Sequence, residues 1–421
     1  MTVRRSSAVL AVMLTLAACS AAPDRGGSTT TATPNASGTS AAPAPSTTVA
    51  APAPGPAEPS MLTPLLAHAV AEPIPVPATG GKTHLVYELL LTNTLTQNLT
   101  LTGLDVRSGD ETVQTLKADQ LGQRVHLVGT PTPATVLGAG QSAAVWLDVA
   151  LAAGAPTPER LTHAISLSVP TPDPPLIPAT LTEVVAPVAV QKRTPIVIAP
   201  PLRGPNWLDG DGCCGISGHR GALNPINGEL WAAERFAIDY LQLMPDGKLY
   251  DGNRAELASY PYYGTDVHAV ATGPVVAVVD GQPEEVPFAP PKGLTLAQYP
   301  GNHVVQDLGN GNYALYAHLE TGSITVKPGQ QLTAGQPIAH LGNTGNSDAP
   351  HLHFHVMSTP DPLRSDGLPF VFSTFDLQGA VPGSEGALTA GKPATLPAPG
   401  PPRPQRDVMP LQDDLMTYAG S

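Results

Sequence analysis

The chain has 421 residues, of which 42% are hydrophobic and 13% are charged, with 49 prolines and 41 glycines. This composition is typical of turn-rich β domains joined by unstructured spacers, and it does not favour long helices. Because the formal net charge is −13, the chain offers no basic surface for a polyanion, and we expect no nucleic acid among its partners.

The N-terminus has the pattern of an export signal. "MTVRRSSAVLAVMLTLAACS" combines Arg4 and Arg5 with a short apolar run and a small-residue cleavage site. "LAAC", ending at Cys19, resembles a bacterial lipobox, which implies cleavage before Cys19 and lipid attachment to its sulfur. An ordinary secretory signal with an incidental cysteine is the alternative. We therefore expect a signal peptide at 1–18 and a lipid-anchored protein on the outer face of the cytoplasmic membrane, in the cell envelope.

Two segments are rich in Ala, Pro, Ser, Thr and Gly and poor in large apolar residues: 19–60 and 379–421. Such segments cannot bury enough surface to offset the entropy of ordering their chain. The first is expected to be a disordered tether, made semi-extended by its prolines. The second is expected to be a largely disordered Pro/Ala/Gly-rich tail.

Residues 61–195 contain short runs rich in β-branched and apolar residues, separated by Gly, Pro, Asn and Asp. The clearest runs are 83–93, 99–106, 142–151 and 162–169. Strands at this spacing predict a β-sandwich. Because the runs carry no cluster of His, Cys, Asp and Glu, we interpret this module as a non-catalytic spacer or binding domain.

Residues 196–378 also have a strand-and-turn pattern. "GNGN" at 309–312 predicts a hairpin, and Gly329 and Gly335 mark further turns. The chain as a whole is therefore predicted to be all-β, with an N-terminal sandwich followed by a second domain built from an antiparallel sheet with a barrel-sandwich-like core.

The second domain has an unusual concentration of titratable side chains. "NTGNSDAPHLHFHV" places His351, His353 and His355 at alternate positions, so in a strand their rings share one face. "YAHL" places His318 near the end of another strand, and "RFAIDY" places Asp239 within an apolar strand. A carboxylate there is costly unless it is paired or binds a metal. Histidines from separate strands plus one aspartate can supply the three protein ligands of a catalytic zinc site.

These residues resemble the lysostaphin-type, or LytM-type, zinc metalloendopeptidases, which cut peptide cross-links in bacterial cell walls. The resemblance covers roughly residues 215–375 and is strongest from "YAHL" through "VKPGQQLTAGQPIAHLGNTGNSDAPHLHF". It implies Zn²⁺ as the cofactor and peptidoglycan peptides as the substrate. It also implies that His353 and Asp239 are zinc ligands and that His351 and His318 are the catalytic histidines.

One position departs from the family pattern. The family has His-x-x-x-Asp before the aspartate, but this chain has Arg235 four residues before Asp239. Arginine stays cationic and has no free lone pair, so it cannot bind zinc. The best substitute is His219, 20 residues upstream of Asp239, because a hairpin at "NPING" could bring the two together. A surface histidine in a loop is the alternative.

Four further residues are given roles outside the ligand set and the catalytic pair. Arg235 is expected to pair with Asp239 or with a substrate carboxylate. His355 stands where the family usually has an acidic residue, so we expect it to support His353 rather than to bind the metal. Cys213 and Cys214 are adjacent, and outside the cytosol they can form a disulfide. Two free thiols, or one thiolate on the metal, are the alternatives.

Two functions are compatible with these features. The first is a zinc endopeptidase that hydrolyses peptide bonds in peptidoglycan stem or cross-bridge peptides. The second is a degenerate, metal-free relative that binds the cell wall or activates another wall hydrolase, as the loss of the usual first ligand would allow. We favour the enzyme, because loss of function would be expected to erase several of the remaining histidines and Asp239 as well.

Overall fold

The N-terminal half of the chain forms two antiparallel sheets, as its alternating strand pattern predicts. In the computed structural model the described residues are 60–130, 132–289, 291–401 and 403–419. The expected signal peptide, the lipidation site Cys19 and the tether up to residue 59 lie outside these ranges. Within them, no helix is long and apolar enough to cross a membrane.

The first ten strands and one helix build the sandwich. One sheet has the order β1-β3-β8-β6 with β2 paired to β3, and the other has the order β10-β9-β4-β5 with β7 paired to β4. Leucines and valines from both inner faces form one core. The elements are β1 (Leu65–Ala69), β2 (Val76–Pro77), β3 (Thr83–Asn93), β4 (Leu99–Ser108), β5 (Glu111–Lys117), α1 (Ala118–Arg124), β6 (Val125–Leu127), β7 (Val136–Leu137), β8 (Ser142–Leu151), β9 (Arg160–Ser168) and β10 (Thr180–Ala189).

The second half is organised around an eleven-stranded sheet. Its order is β20-β17-β18-β19-β22-β15-β12-β27-β25-β26, with β23 paired to β22. The elements are β11 (Ile196–Ile198), β12 (Gly204–Gly210), α2 (Gly218–Gly221), β13 (Asn224–Ile226), β14 (Glu229–Trp231), β15 (Ile238–Gln242), a 3-10 helix (Leu257–Ser259), β16 (Asp266–His268), β17 (Gly273–Val279), β18 (His303–Gly309), β19 (Asn312–Ala317), β20 (Gln331–Leu332), β21 (Pro337–His340), β22 (Leu352–Met357), β23 (Gly367–Leu368), β24 (Phe370–Phe372), β25 (Phe375–Ala380), α3 (Ser384–Thr389), β26 (Arg403–Gln405) and β27 (Asp414–Tyr418).

This architecture confirms the predicted fold class. The strands are antiparallel throughout the two sandwich sheets and the large sheet, and the hairpin predicted at "GNGN" joins β18 to β19. The β11–β24 pair is parallel.

Strand β3 is buried on both faces, which explains its continuous apolar sequence. Leu85, Tyr87 and Leu89 face the core of the sandwich. Val86, which points the opposite way, belongs to the core of the following sheet. The sandwich and the second half are therefore in direct contact along this strand.

The C-terminal segment differs from the expected disordered tail. Strand β27 lies between β12 and β25 in the large sheet, and its residues Leu415, Met416 and Tyr418 are buried. The prediction was wrong because the Pro-rich composition of the segment hid the short helix α3, the strand β26 and the short apolar strand β27. Strand β27 hydrogen-bonds to a neighbouring strand on each side, and this pairing offsets the entropy that is lost when the preceding chain becomes ordered.

Candidate metal centre

Five of the predicted site residues lie close together at one end of the large sheet. Asp239 is on β15, and His353 lies directly opposite it on the neighbouring strand β22. His318 follows the last residue of β19, which also pairs with β22. His351 precedes β22, and His219 comes from the short helix α2. Three separate strands and one loop helix therefore bring these side chains to one point.

One carboxylate oxygen is the centre of the group. Oδ1 of Asp239 lies 2.9 Å from Nδ1 of His353, 3.3 Å from Nε2 of His219 and 3.3 Å from Nε2 of His351. The three histidine side chains are buried, whereas that of Asp239 is 21% exposed. The centre is thus enclosed by protein but open to solvent on one side.

His219 is oriented by its own helix and by the backbone beside Asp239. Ser217 precedes α2, and its side chain accepts a hydrogen bond from the backbone of Arg220, which fixes the start of the helix. Nδ1 of His219 donates to the carbonyl of Ala237 at 3.3 Å, which directs Nε2 at Asp239, where it carries a proton while it pairs with the carboxylate and offers a lone pair once that proton is lost. The predicted hairpin exists as β13 and β14, but His219 lies in the helix before it rather than on one of its strands.

His355 contacts the other side of the His353 ring. Nε2 of His353 lies 2.8 Å from Nδ1 of His355, and both rings are buried. A proton on Nε2 of His353 can be donated to His355, which leaves the Nδ1 lone pair of His353 facing the centre. Buried ligand histidines are commonly held this way by a second acceptor. The expectation that His355 supports His353 remains a prediction, and this contact agrees with it.

His318 and His351 lie beside each other, with ring centroids 4.7 Å apart. Nδ1 of His318 donates to the carbonyl of Thr344 at 2.7 Å, and Nδ1 of His351 donates to the carbonyl of Ala349 at 2.8 Å. Nε2 of His318 is therefore left as the acceptor, whereas Nε2 of His351 faces the Asp239 carboxylate at 3.3 Å and carries a proton when it pairs with that carboxylate. His318 has a φ of 59°, a left-handed conformation that is rare for a residue with a side chain and is found often at functional sites.

The charges within the group are strongly coupled. Burial alone would lower the pKa of His219, but the charge of Asp239 outweighs it and raises this pKa to about 10. Burial likewise opposes ionisation of Asp239, yet His219 and His351 hold its pKa well below the usual range. Burial and the neighbouring His351 and His353 lower the pKa of His318. Without a bound cation, the Asp239 charge is thus balanced by protons on the histidines around it.

The donor set fits a divalent transition metal. His219, Asp239 and His353 each offer a ligand atom within 4.8 Å of the other two, and so do His318, His351 and His353. Two imidazole nitrogens and one carboxylate oxygen are ligands that zinc accepts, and a catalytic zinc site keeps a fourth position open. The convergence of these atoms on a buried carboxylate is what a cation in this position would require.

Arg235 does not occupy the place expected for it. Its guanidinium is buried and pairs with Glu88 of β3 and with Asp366, rather than with Asp239. The interpretation of Arg235 as a partner of Asp239 or of substrate was wrong, because a fully buried carboxylate from the sandwich competes for it. Glu88 was missed at the sequence level. Its signal was a lone carboxylate in the apolar run "LVYELLL", the same signal that identified Asp239.

A disulfide joins Cys213 to Cys214 in the loop between β12 and α2. Both residues are buried, and Cys214 lies close to a hydrogen-bonded pair on the sandwich, His84 and Asp148. His84 Nδ1 is 2.8 Å from Asp148 Oδ1. The loop that leads to His219 thus packs on the sandwich as well as on the large sheet.

Comparisons with known proteins find a match to a protein family within the second half. Residues 260–365 match the model of peptidase family M23. That range contains His318, His351 and His353 but begins after His219 and Asp239. The similarity therefore covers the part of the site that contains the histidine motifs. It begins only after the segment in which Arg235 departs from the expected pattern.

Curated relatives match over short segments. The chain is 40% identical over 67 residues to peptidoglycan DD-endopeptidase ShyA of Vibrio cholerae, which is 16% of this chain and 15% of the relative. It is 35% identical over 103 residues to ShyB of the same organism, 24% of this chain and 22% of the relative. It is 32% identical over 114 residues to the glycyl-glycine endopeptidase ALE-1 of Staphylococcus capitis, 27% of this chain and 29% of the relative. The matches span less than a third of each relative.

Two solved structures align with larger fractions of this chain, at low sequence identity and low TM-score. The catalytic domain of lysostaphin from Staphylococcus simulans has 24% identity and a TM-score of 0.19, covering 37% of this chain and 80% of that one. A zinc-containing peptidase from Vibrio cholerae has 16% identity and a TM-score of 0.21, covering 68% of this chain and 82% of that one.

Proposed function

Because the chain contains a peptidase family M23 domain, we propose that it is a zinc-dependent endopeptidase that cleaves peptidoglycan peptides. The observation that carries this proposal is the meeting of His219, Asp239 and His353 around one carboxylate oxygen, with distances of 2.9–3.3 Å. The family's usual first ligand is missing from the sequence, and this arrangement provides a replacement for it.

His219 Nε2, Asp239 Oδ1 and His353 Nδ1 are the atoms that would hold the metal. A bound Zn²⁺ would polarise the scissile carbonyl and lower the pKa of a coordinated water towards neutrality. The hydrogen bond from His219 to Ala237 and the contact between His353 and His355 aim the two ligand nitrogens at Asp239, so that each can offer its lone pair once its proton is displaced. These contacts set the tautomer that a metal ligand needs.

His318 and His351 are proposed to move the protons. Their Nδ1 atoms are held by backbone carbonyls, so each Nε2 can take a proton from the attacking water or give one to the departing amine. When protonated, the same Nε2–H can donate to the oxyanion that develops on the scissile carbonyl. The two rings lie side by side, which allows one to act as the base while the other stabilises negative charge.

The proposed substrate is a peptide bond in the stem or cross-bridge peptides of peptidoglycan. Support comes from the relatives, since ShyA is named a peptidoglycan DD-endopeptidase and ALE-1 a glycyl-glycine endopeptidase. These two activities cut different bonds, so an experiment has to identify the bond that this chain cleaves. The partial exposure of Asp239 gives a peptide access to the centre.

The proposed location is the cell envelope, with the protein held to the membrane by a lipid on Cys19. Support is the "LAAC" motif after a basic and apolar N-terminus. A tethered enzyme stays close to its polymer and needs little affinity for it in free solution.

The test uses the full chain, stripped of metal with a chelator and then reloaded with zinc. The zinc-loaded protein is expected to bind about one zinc per chain and to release peptides with new amino termini from purified sacculi. The His353→Ala variant is expected to do neither. A matched control is His340→Ala, because His340 is half-exposed and pairs with Glu320 and Asp266 away from the centre. Cosedimentation with sacculi without zinc and without cleavage would instead support the metal-free binding protein.

A further inference from the structure

A buried carboxylate of the sandwich reaches towards the candidate metal centre. Glu88 lies in the middle of β3 and is fully buried. Its neighbours Tyr87 and Leu89 face the core of the sandwich, so the Glu88 side chain points out of that core. It faces the segments that carry His219 and Arg235.

Two arginines from the second half meet on Glu88. Nε of Arg235 donates to Oε2 at 2.9 Å and Nη2 donates to the same oxygen at 2.7 Å. Nη2 of Arg220 lies 3.3 Å from Oε1 and also donates to the carbonyl of Leu147 on β8 at 3.4 Å. Both guanidiniums are buried, so the carboxylate neutralises charges that water does not reach.

The positions of these arginines matter because of their neighbours in sequence. Arg220 directly follows His219, and Arg235 precedes Asp239 by four residues. Asp239 is held independently, since β15 is hydrogen-bonded on one side to β12 and on the other to β22. His219 lies on a helix of only four residues, which is held by the Ser217 cap and by the bond from His219 to the Ala237 carbonyl rather than by a sheet. The contact between Arg220 and Glu88 is the ion pair that joins this helix to the sandwich.

The electrostatics show how strongly Glu88 is engaged. Burial alone would raise its pKa, but Arg235 and Arg220 outweigh burial and lower it. Removing this negative charge would leave two buried guanidiniums near each other, balanced in part by Asp366, which pairs with Arg235, and by Asp148, whose charge acts on Arg220. Arg220 is less constrained than Arg235, so it would be expected to move towards water and to displace the adjacent His219.

A second contact fixes the same loop on the same face of β3. His84 and Glu88 are four residues apart on the strand, so their side chains point the same way. His84, paired with Asp148, lies against Cys214 at the start of the loop, while Glu88 holds Arg220 at its end. The sandwich thus contacts the loop at both of its ends, at Cys214 and at Arg220.

We infer that Glu88 is a positioning residue for the metal: by binding Arg220 and Arg235 together, it holds His219 in the place where it completes the ligand set. The sandwich is then a working part of the metal centre rather than a spacer. This inference rests on the proposed zinc site, since it concerns the third ligand of that site.

The test is a comparison of zinc affinity in folded, full-length variants, measured by competition with a chromophoric chelator. Glu88→Gln is expected to weaken zinc binding by roughly 10–100-fold, as loss of a supporting partner behind a ligand does. The matched control is Glu183→Gln. Glu183 is an equally buried carboxylate on β10, bonded to the backbone of Leu65 in the sandwich, and its loss is expected to leave zinc affinity unchanged.

A double-mutant cycle separates positioning from general destabilisation. If Glu88 acts through Arg220, Glu88→Gln should weaken zinc binding strongly in the wild-type background and little further in an Arg220→Gln background. Equal losses in both backgrounds, or wild-type zinc affinity in folded Glu88→Gln, would overturn the inference. If Glu88→Gln does not fold, Arg220→Gln alone decides, because it keeps the Glu88–Arg235 pair. Wild-type zinc affinity in that variant would also overturn the inference.

The proposed function and this inference fail in different ways. A wild-type protein that binds no zinc contradicts the proposed function. A wild-type protein that binds zinc, alongside a Glu88→Gln variant that binds it equally well, contradicts the role of Glu88 alone.

Discussion

Nε2 of His219 lies 3.3 Å from Oδ1 of Asp239, although 20 residues separate them in sequence. This contact places an imidazole beside Asp239, which can bind a metal as Arg235 of "RFAID" cannot. Arg235 lies outside the centre, where it pairs with Glu88. Arg220, which directly follows His219, pairs with the same carboxylate.

His219 and Arg235 should respond differently to substitution. His219→Ala is expected to lose zinc binding, because two remaining protein ligands hold metal poorly. Arg235→Ala is expected to keep zinc, since the strand β15 that carries Asp239 stays hydrogen-bonded to β12 on one side and to β22 on the other. It should lower the free energy of unfolding by about 3 kcal/mol, because it breaks a buried ion pair. Zinc analysis and denaturant titration check both variants, and loss of zinc in Arg235→Ala would contradict the assignment.

The two histidines of "HLH" should separate metal binding from turnover. His353→Ala is expected to lose zinc and activity together. His351→Ala is expected to keep zinc while its kcat falls by roughly 10²–10⁴-fold, the range for loss of a general acid or base. Zinc content and cleavage of sacculi are measured on the same preparations. Retention of zinc by His353→Ala would show that the roles of the two residues are exchanged.

The sandwich should contribute a separate pH dependence to stability through His163. Burial lowers the pKa of this fully buried histidine to about 4, and its neutral ring is satisfied by donation to Ala186 and by a hydrogen bond from Tyr87. Because the folded pKa lies below the ordinary value of 6.5, the unfolded state binds the proton more readily. Stability from this group is therefore complete above pH 6.5 and is lost as the pH falls from 6.5 towards 4.

The size of this effect is on the order of 3 kcal/mol over the whole window. His163→Asn keeps a donor for Ala186 but does not titrate. Denaturant unfolding of both proteins between pH 4 and 8 should show a shallower loss of stability in the variant on the acid side. Parallel pH curves would mean that His163 titrates normally in the folded protein.

The export signal predicts a simple result in cells. Cys19→Ala should shift the protein from the membrane fraction to the soluble envelope fraction or the medium, because the sulfur that carries the lipid is gone. Fractionation followed by immunoblotting measures the distribution. Equal retention of variant and wild type in the membrane would refute the lipid anchor.

The sequence was most informative where chemistry and periodicity coincide. The alternation in "HLHFHV" and the lone carboxylate in "RFAIDY" predicted side chains that do meet in the structure. His219 could be proposed because it is the nearest upstream histidine with enough chain for a hairpin before Asp239. The roles of these residues remain predictions, while their proximity is a feature of the fold.

What the sequence could not supply were partners far apart in the chain. Glu88 and Arg235 are separated by 147 positions, and nothing local links them. Strand β27 was similarly hidden, because its five residues gain their order from β12 and β25 rather than from their own pattern. Both misses arise from long-range pairing, which local propensity does not encode.

The most direct test of the account is anomalous diffraction at the zinc edge from crystals of the zinc-loaded full chain. The account predicts one peak, with His219 Nε2, Asp239 Oδ1 and His353 Nδ1 each about 2.0–2.2 Å away, as is usual for zinc bound by nitrogen and carboxylate oxygen. A peak held by other residues without His219, or crystals with no zinc at this position, would contradict it.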